Sequence, residues 1–224
     1  MSTALTLIIG NKNYSSWSLR PWLLLRQFGI AFDEILLPLD TPEYYRRIGD
    51  YSPTGRVPVL RDGEISVWDS LAICETVNER WLGGRGWPTD LGTRALARSA
   101  AAEMHSGFAA MRTQLPFNCR RRPDAYRWNA DVDRDIGRVL QLWNQLRSRQ
   151  ATDGEFLCGE FGIVDAMFAP VCVRFRGYGV AVDDNAAAYM RAMFALPGLV
   201  EWDAAAQAEA GRYAATDAFA GNQV

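Results

Sequence analysis

Thr54-Gly55-Arg56-Val57-Pro58-Val59-Leu60, then Asp62-Gly63, then Ile65-Ser66-Val67-Trp68-Asp69-Ser70 is the stretch that decides the fold. Val57 to Leu60 is a β-type run with proline near its start. Proline has no N–H to give a ladder, so it belongs at a strand start or an edge. Asp62-Gly63 is a tight turn, and the runs on either side of it read as an antiparallel hairpin. Asp69-Ser70 then supplies a cap for a helix from Leu71 to about Arg80, with Ile73, Cys74 and Val77 turned inward.

Upstream of this hairpin, Leu5-Thr6-Leu7-Ile8-Ile9 suits a strand buried on both faces. The polar loop Asn11 to Ser16 follows. A helix comes next, with Pro21 close to its start and Gly29 closing it. Phe32 to Leu37 is a second strand, which Pro38 stops. Thr41 to Asp50 reads as a short irregular helix or turn. The order is therefore β-α-β-α-β-β-α. Its first crossover is parallel and right-handed, and the hairpin adds an antiparallel half.

Downstream, Gly83-Gly84-Arg85-Gly86-Trp87-Pro88 is the clearest linker in the chain. Beyond it the β signal nearly vanishes. Leu91 to about Leu115 reads as one helix ended by Pro116. Asp131 to Arg149 is strongly amphipathic. Further helices are expected over Gly159–Gly179, Ala186–Phe194 and Leu199–Ala210, and the tail Thr216–Val224 is expected to fray. The plan is an α/β domain over residues 1–82 and an all-helical domain over 90–215.

Composition fits that plan. The chain has 224 residues, with 49% hydrophobic and 22% charged, which are ordinary globular values. That length buries about 70% of the unfolded surface, enough for a core without disulfides or a structural metal. The formal charge of -2 argues against a broad nucleic-acid footprint or a polybasic membrane surface. Cys74, Cys119, Cys158 and Cys172 are widely spaced, and His105 is the single histidine, so no metal site is expected. The apolar run at the start is too short for a signal-peptide core or a membrane span, and the protein reads as cytoplasmic.

Three local features bear on chemistry. Tyr14-Ser15-Ser16-Trp17-Ser18-Leu19-Arg20 lies where a helix begins. It is either an ordinary cap or a place where free N–H groups favour an anion. Arg20 is a mildly unfavourable cation for a first turn, so it is expected to meet a carboxylate of substrate or protein. Val57-Pro58 is either a trans strand start or a cis bond presenting backbone groups to an extended peptide ligand. Asp69-Ser70 is either a second cap or a site for a ligand carboxylate.

In this order and frame, the three features resemble the cytosolic glutathione transferases along nearly the whole chain. Those proteins join a thioredoxin-like N-terminal domain to an all-helical C-terminal domain. Ser15-Ser16-Trp17-Ser18-Leu19-Arg20 is similar to the serine motif of the zeta class, which includes maleylacetoacetate isomerases. Trp17 replaces that class's cysteine, and Arg56 stands where glutamine is common. Thr54 to Leu60 is similar to the family's cis-proline segment. Asp69-Ser70-Leu71-Ala72-Ile73 is similar to the segment that binds the γ-glutamyl end of glutathione. Phe161-Gly162-Ile163-Val164-Asp165-Ala166 is similar to the capping box of the helical core, with Gly162 where Ser or Thr is usual. Glycine caps nearly as well, so a loss of only a few tenths of a kcal/mol is expected.

The resemblance implies that glutathione is the bound co-substrate and that no metal takes part. Ser15 is the expected donor that holds the thiol as thiolate, with Tyr14, Ser16 and Ser18 as alternatives. Ser16, Arg20, Arg56, Val57, Pro58, Asp69 and Ser70 are the implied glutathione contacts. His105, Phe108, Met111, Arg112 and Asn118 are candidates to line the site of a small electrophile, with the charge run Arg120-Arg121-Arg122 favouring an anionic one. Conjugation is the leading expectation. A glutathione-dependent isomerase of the maleylacetoacetate type and a non-catalytic protein-binding module are the alternatives. Family habit implies a homodimer.

Overall fold

The computed structural model describes residues 5–149 and 154–210. The N-terminal domain contains β1 (Thr6–Ile9), α1 (Ser16–Gln27), β2 (Asp33–Leu36), α2 (Pro42–Arg47), β3 (Val59–Asp62), β4 (Ile65–Val67) and α3 (Ser70–Val77). The sheet order is β2-β1-β3-β4. β1 pairs parallel with β2, while β3 is antiparallel to both β1 and β4. The expected β-α-β-α-β-β-α thioredoxin-like domain is therefore present. Leu7, Ile8 and Ile9 are fully buried, as a strand covered on both faces requires. β3 begins two residues later than the sequence suggests, because Pro58 precedes the ladder.

The second domain is all-helical, with α4 (Leu91–Ser106), α5 (Ala109–Gln114), α6 (Ala130–Arg147), α7 (Ile163–Tyr178), α8 (Asp184–Ala195) and α9 (Pro197–Ala208). The single helix expected over Leu91–Leu115 is instead broken into α4 and α5. Gly107 leaves the helix and Phe108 takes a left-handed backbone, φ 60. Gly107 costs about 1 kcal/mol in a helix interior, which makes it the natural place for the break. Arg112 fastens it by donating from Nε to the Gly107 carbonyl at 2.9 Å and from Nη2 to the Met104 carbonyl. α7 begins at Ile163 rather than near Gly159. The expected tail Thr216–Val224 and the end of the 90–215 domain lie outside the described residues.

α7 is the spine of the molecule. It packs against α1, α4 and α8, and its apolar residues from Ile163 to Phe175 are almost entirely buried. Asp165 fixes its start. Its Oδ2 accepts the Gly162 N–H at 2.9 Å and its Oδ1 accepts the Leu157 N–H at 3.0 Å. The reciprocal hydroxyl contact is missing because Gly162 has no side chain. The reason for glycine is steric. A Cβ there would lie 2.8 Å from the Gly86 carbonyl, the same carbonyl that accepts the Ile163 N–H at 2.9 Å. The linker thus lies directly on the helix start. Gly162→Ser, which restores the usual capping hydroxyl, is expected to destabilise the protein by about 1 kcal/mol, since a cap gains only tenths over glycine and overpacking costs more. Urea denaturation of the variant tests this, and a raised midpoint would count against the steric account.

Candidate active site

Ser15 is the N-cap of α1. Its Oγ accepts the Ser18 N–H at 3.3 Å, and its hydroxyl donates to Ser18 Oγ at 2.7 Å. Ser18 Oγ also accepts the Gly10 N–H at 3.2 Å. A hydroxyl pair therefore runs from the end of β1 to the start of α1. Ser15, Ser16 and Ser18 are all buried. The Tyr14 ring lies 6.0 Å from the Arg120 guanidinium.

Asp69 caps α3 in the same manner, its Oδ1 accepting the Leu71 and Ala72 N–H groups at 3.0 and 3.1 Å. Its other oxygen lies 2.7 Å from His105 Nε2 of α4. Asp69 is therefore both a cap and a tie between domains. Ser70 is buried, and its Oγ accepts from Arg20 Nη1 at 3.2 Å. That bond brings the starts of α1 and α3 together. The first-turn N–H groups of Trp17 and Ser70 have no hydrogen-bond partner among the described residues. The Val57–Pro58 bond is cis. Pro58 is buried, while Arg56 stands exposed at the rim.

The facing wall is cationic. Trp17 is 36% exposed, and its ring is ringed by the Arg20 guanidinium at 4.3 Å, the Arg112 guanidinium at 4.9 Å and the His105 ring at 5.2 Å. Arg20 has no exposed surface, and its Nε and Nη2 are buried without a partner. Burial first, then Arg112 and Arg174, holds its pKa well below the usual arginine range. Arg174 of α7 donates from Nε to the Leu115 carbonyl at 2.8 Å. Burial, with Arg112 adding to it, brings it down to about 9. His105 shows two opposed influences. Asp69 favours its protonated form, but burial outweighs that, Arg20 and Arg112 act with burial, and the pKa falls. Its Nδ1 is buried without a partner, which suits a neutral ring donating from Nε2.

Of the other expected wall residues, Met111 is fully buried and belongs to the core. Phe108 and Asn118 are also buried, and Asn118 Oδ1 accepts the Arg120 N–H at 2.9 Å. The charge run is tied to the protein itself. Arg120 donates to the Ala206 and Glu209 carbonyls, Arg121 pairs with Asp124, and Arg122 donates to the Cys119 carbonyl. Sequence reasoning passed over Arg174, although a lone arginine in the apolar run from Phe168 to Phe175 was a usable signal. It also passed over the indole of Trp17 as part of the site, and Glu209, for which no local signal exists.

A cavity of about 350 Å³ lies at the other end of α1, lined by Phe28, Trp87, Asp90, Cys158 and Phe161 among others. It is lined by Gly86, Gly162 and Asp165 at the start of α7 and by none of the residues around Ser15, Asp69 and Trp17. Hydroxyls, free N–H groups and cations converge instead at the starts of α1 and α3. Among the described residues no group of three or more His, Cys, Asp or Glu is placed to hold a metal ion, and no helix is long and apolar enough to cross a membrane.

A thioredoxin-like domain with paired helix starts, joined to an all-helical domain, defines a class. Residues 14–80 match the family described as glutathione S-transferase, N-terminal domain, and residues 129–202 match glutathione S-transferase, C-terminal domain. The chain belongs to the glutathione transferase fold family. Among curated proteins it is similar to the dichloromethane dehalogenase of Methylorubrum extorquens, with 27% identity over 145 residues, 60% of this chain and 50% of the relative. The dichloromethane dehalogenase of Methylophilus leisingeri is 35% identical over 63 residues, 26% of this chain and 22% of the relative. The chain thus spans half or less of the length of these relatives. Among solved structures, a Burkholderia glutathione transferase homolog with bound glutathione has a TM-score of 0.70 at 21% identity, covering 92% of this chain and 100% of that one. An unclassified glutathione S-transferase from Bombyx mori has a TM-score of 0.69 at 18% identity, covering 97% of each chain. At such identities the likeness is one of fold.

Proposed function

We propose that this protein is a glutathione transferase that binds glutathione at the starts of α1 and α3 and directs its thiol at a small electrophile. One observation carries the reading: Arg20 joins the two helix starts through Ser70, and a free N–H remains at each. Helix starts of this kind attract carboxylates and thiolates. The unpartnered Arg20 atoms beside them are the orphan donors that such a ligand satisfies. The residues present therefore fit glutathione, with Ser16, Arg20, Arg56, Val57, Pro58, Asp69 and Ser70 holding its backbone and carboxylates.

Glutathione supplies the nucleophilic sulfur. Ser15 supplies the hydrogen bond that favours the thiolate. A free thiol has a pKa of about 8.5, and lowering it by about two units takes roughly 2.7 kcal/mol. One charge-assisted hydrogen bond of about 1.5–3 kcal/mol supplies much of that. For Ser15 to donate outward, the Ser15–Ser18 hydroxyl bond must run the other way. Two hydroxyls 2.7 Å apart permit that by rotation alone. The chain then reads Gly10 N–H to Ser18, Ser18 to Ser15, Ser15 to sulfur, each bond polarising the next.

The cluster of Arg20, Arg112 and Arg174 favours a second substrate that carries a carboxylate, His105 and Phe108 standing beside it. It also supports glutathione-dependent isomerisation as the second reading. The exposed Ile65, Trp68 and Leu91 favour a homodimer.

Calorimetric titration with glutathione tests the proposal. Saturable binding at one site per chain is expected, and no heat up to about 10 mM would remove it. A panel of dichloromethane, a neutral aromatic chloride and a cis-alkene dicarboxylate then separates the second substrates. The carboxylate is expected to react fastest, and turnover to its trans form without loss of thiol would mark isomerisation.

A further inference from the structure

The loop that presents Ser15 is held by the far end of the chain. Just past α9, one oxygen of the Glu209 carboxylate accepts the Lys12 N–H at 2.6 Å, and the other accepts the Asn13 N–H at 3.1 Å. The same loop is gripped on its carbonyl side. Lys12 O accepts from Trp202 Nε1 at 2.9 Å, and Asn13 O accepts the Cys119 N–H at 3.2 Å. Asn13 Oδ1 accepts the Arg120 N–H at 3.0 Å, and Arg120 itself holds the Glu209 carbonyl. Within the loop, Asn11 O accepts the N–H groups of both Tyr14 and Ser15. Glu209 thus binds inside the turn that sets where Ser15 stands, two residues before the serine.

We infer that Glu209 is a positioning residue for the serine loop: through the Lys12 and Asn13 N–H groups, the end of α9 sets the place from which Ser15 acts. The inference rests on the proposed role of Ser15. Two charge-assisted bonds to consecutive backbone N–H groups define the direction of a loop more closely than one. Glu209 is too far along the hydrogen-bond path to touch the reacting sulfur, so it acts by geometry. Helix α9 is fastened to this loop and also packs on α1, so the loop is set against the same helix that Ser15 caps.

The test compares Glu209→Ala and Glu209→Gln with wild type in the full chain. The readout is the acidic limb of the pH profile of kcat/KM for glutathione addition, which reports thiol ionisation. Glu209→Ala is expected to move that limb up by about one unit, a tenfold loss at low pH, with KM for the electrophile unchanged. Glu209→Gln keeps one acceptor oxygen and is expected to stay within about a third of a unit of wild type. A limb unmoved in Glu209→Ala overturns the inference, because a merely structural role lowers the folded fraction and scales all rates alike. Equal downward shifts in both variants also overturn it, since they would mean that Glu209 acts by its charge. Wild type that binds no glutathione, or Ser15→Ala with an unmoved limb, is a failure of the proposed function instead.

Discussion

Ser15→Ala is expected to lower kcat/KM for glutathione addition by about 10²-fold, while glutathione binding persists. The bound thiol loses the donor that holds it ionised, and its pKa returns toward the free value. Measuring thiolate absorbance of the bound complex against pH separates this from lost affinity. The variant also loses a helix cap, at about 1 kcal/mol, so its thermal midpoint falls by a few degrees without unfolding it. Ser18→Ala is the informative control. It removes the hydroxyl behind Ser15 and leaves the Gly10 N–H unpartnered. Its rate is expected to fall by less, about tenfold, because Ser15 remains in place. If Ser15→Ala ionises the thiol as wild type does, the donor is another group, and Ser16 is the first to examine.

Asp165→Ala is expected to cost about 3–4 kcal/mol. Its two oxygens satisfy two buried N–H groups, those of Leu157 and Gly162, and each orphaned donor costs about 1–3 kcal/mol. For a chain of this size that lowers the thermal midpoint by about 10 °C. Asp165 also carries a pH signature. Burial, opposed by the two N–H groups, pushes its pKa up to about 7, against about 3.9 unfolded. Between those values the folded protein binds the proton more tightly than the unfolded chain. Its contribution to stability is therefore present in full below about pH 4 and is lost as pH rises toward 7. Asp165→Asn removes that slope. Urea melts at pH 5 and pH 7 on both proteins measure it, and equal slopes would sink the assignment.

The two-domain plan was legible because each part carries a local signal. The hairpin after Pro58 has its Asp62-Gly63 turn, the linker its glycines, and α6 its apolar period. The break at Gly107–Phe108 was not legible, since apolar spacing continues across it and the anchor, Arg112, reaches backward from the next helix. The steric reason for Gly162 was hidden in a similar way. Local rules rank glycine as a slightly weaker cap, whereas the carbonyl that requires it belongs to Gly86, far away in sequence. The caps Ser15 and Asp69, with Ser70 beside the second, were legible because helix starts announce themselves. Arg174 reaches the arginine cluster from α7 and Glu209 reaches the Lys12–Asn13 loop from beyond α9, and only the fold brings them there.

Asp69 has a consequence for anyone who would treat the first domain as a transferable cassette. Its carboxylate caps α3 with one oxygen and holds His105 of the second domain with the other. Trp17 against Arg112, and Lys12 and Asn13 against Glu209, are stitched across the same seam. A graft of residues 1–82 onto another helical domain would therefore arrive with these contacts undone. It would need His105, Arg112 and Glu209 transplanted along with it.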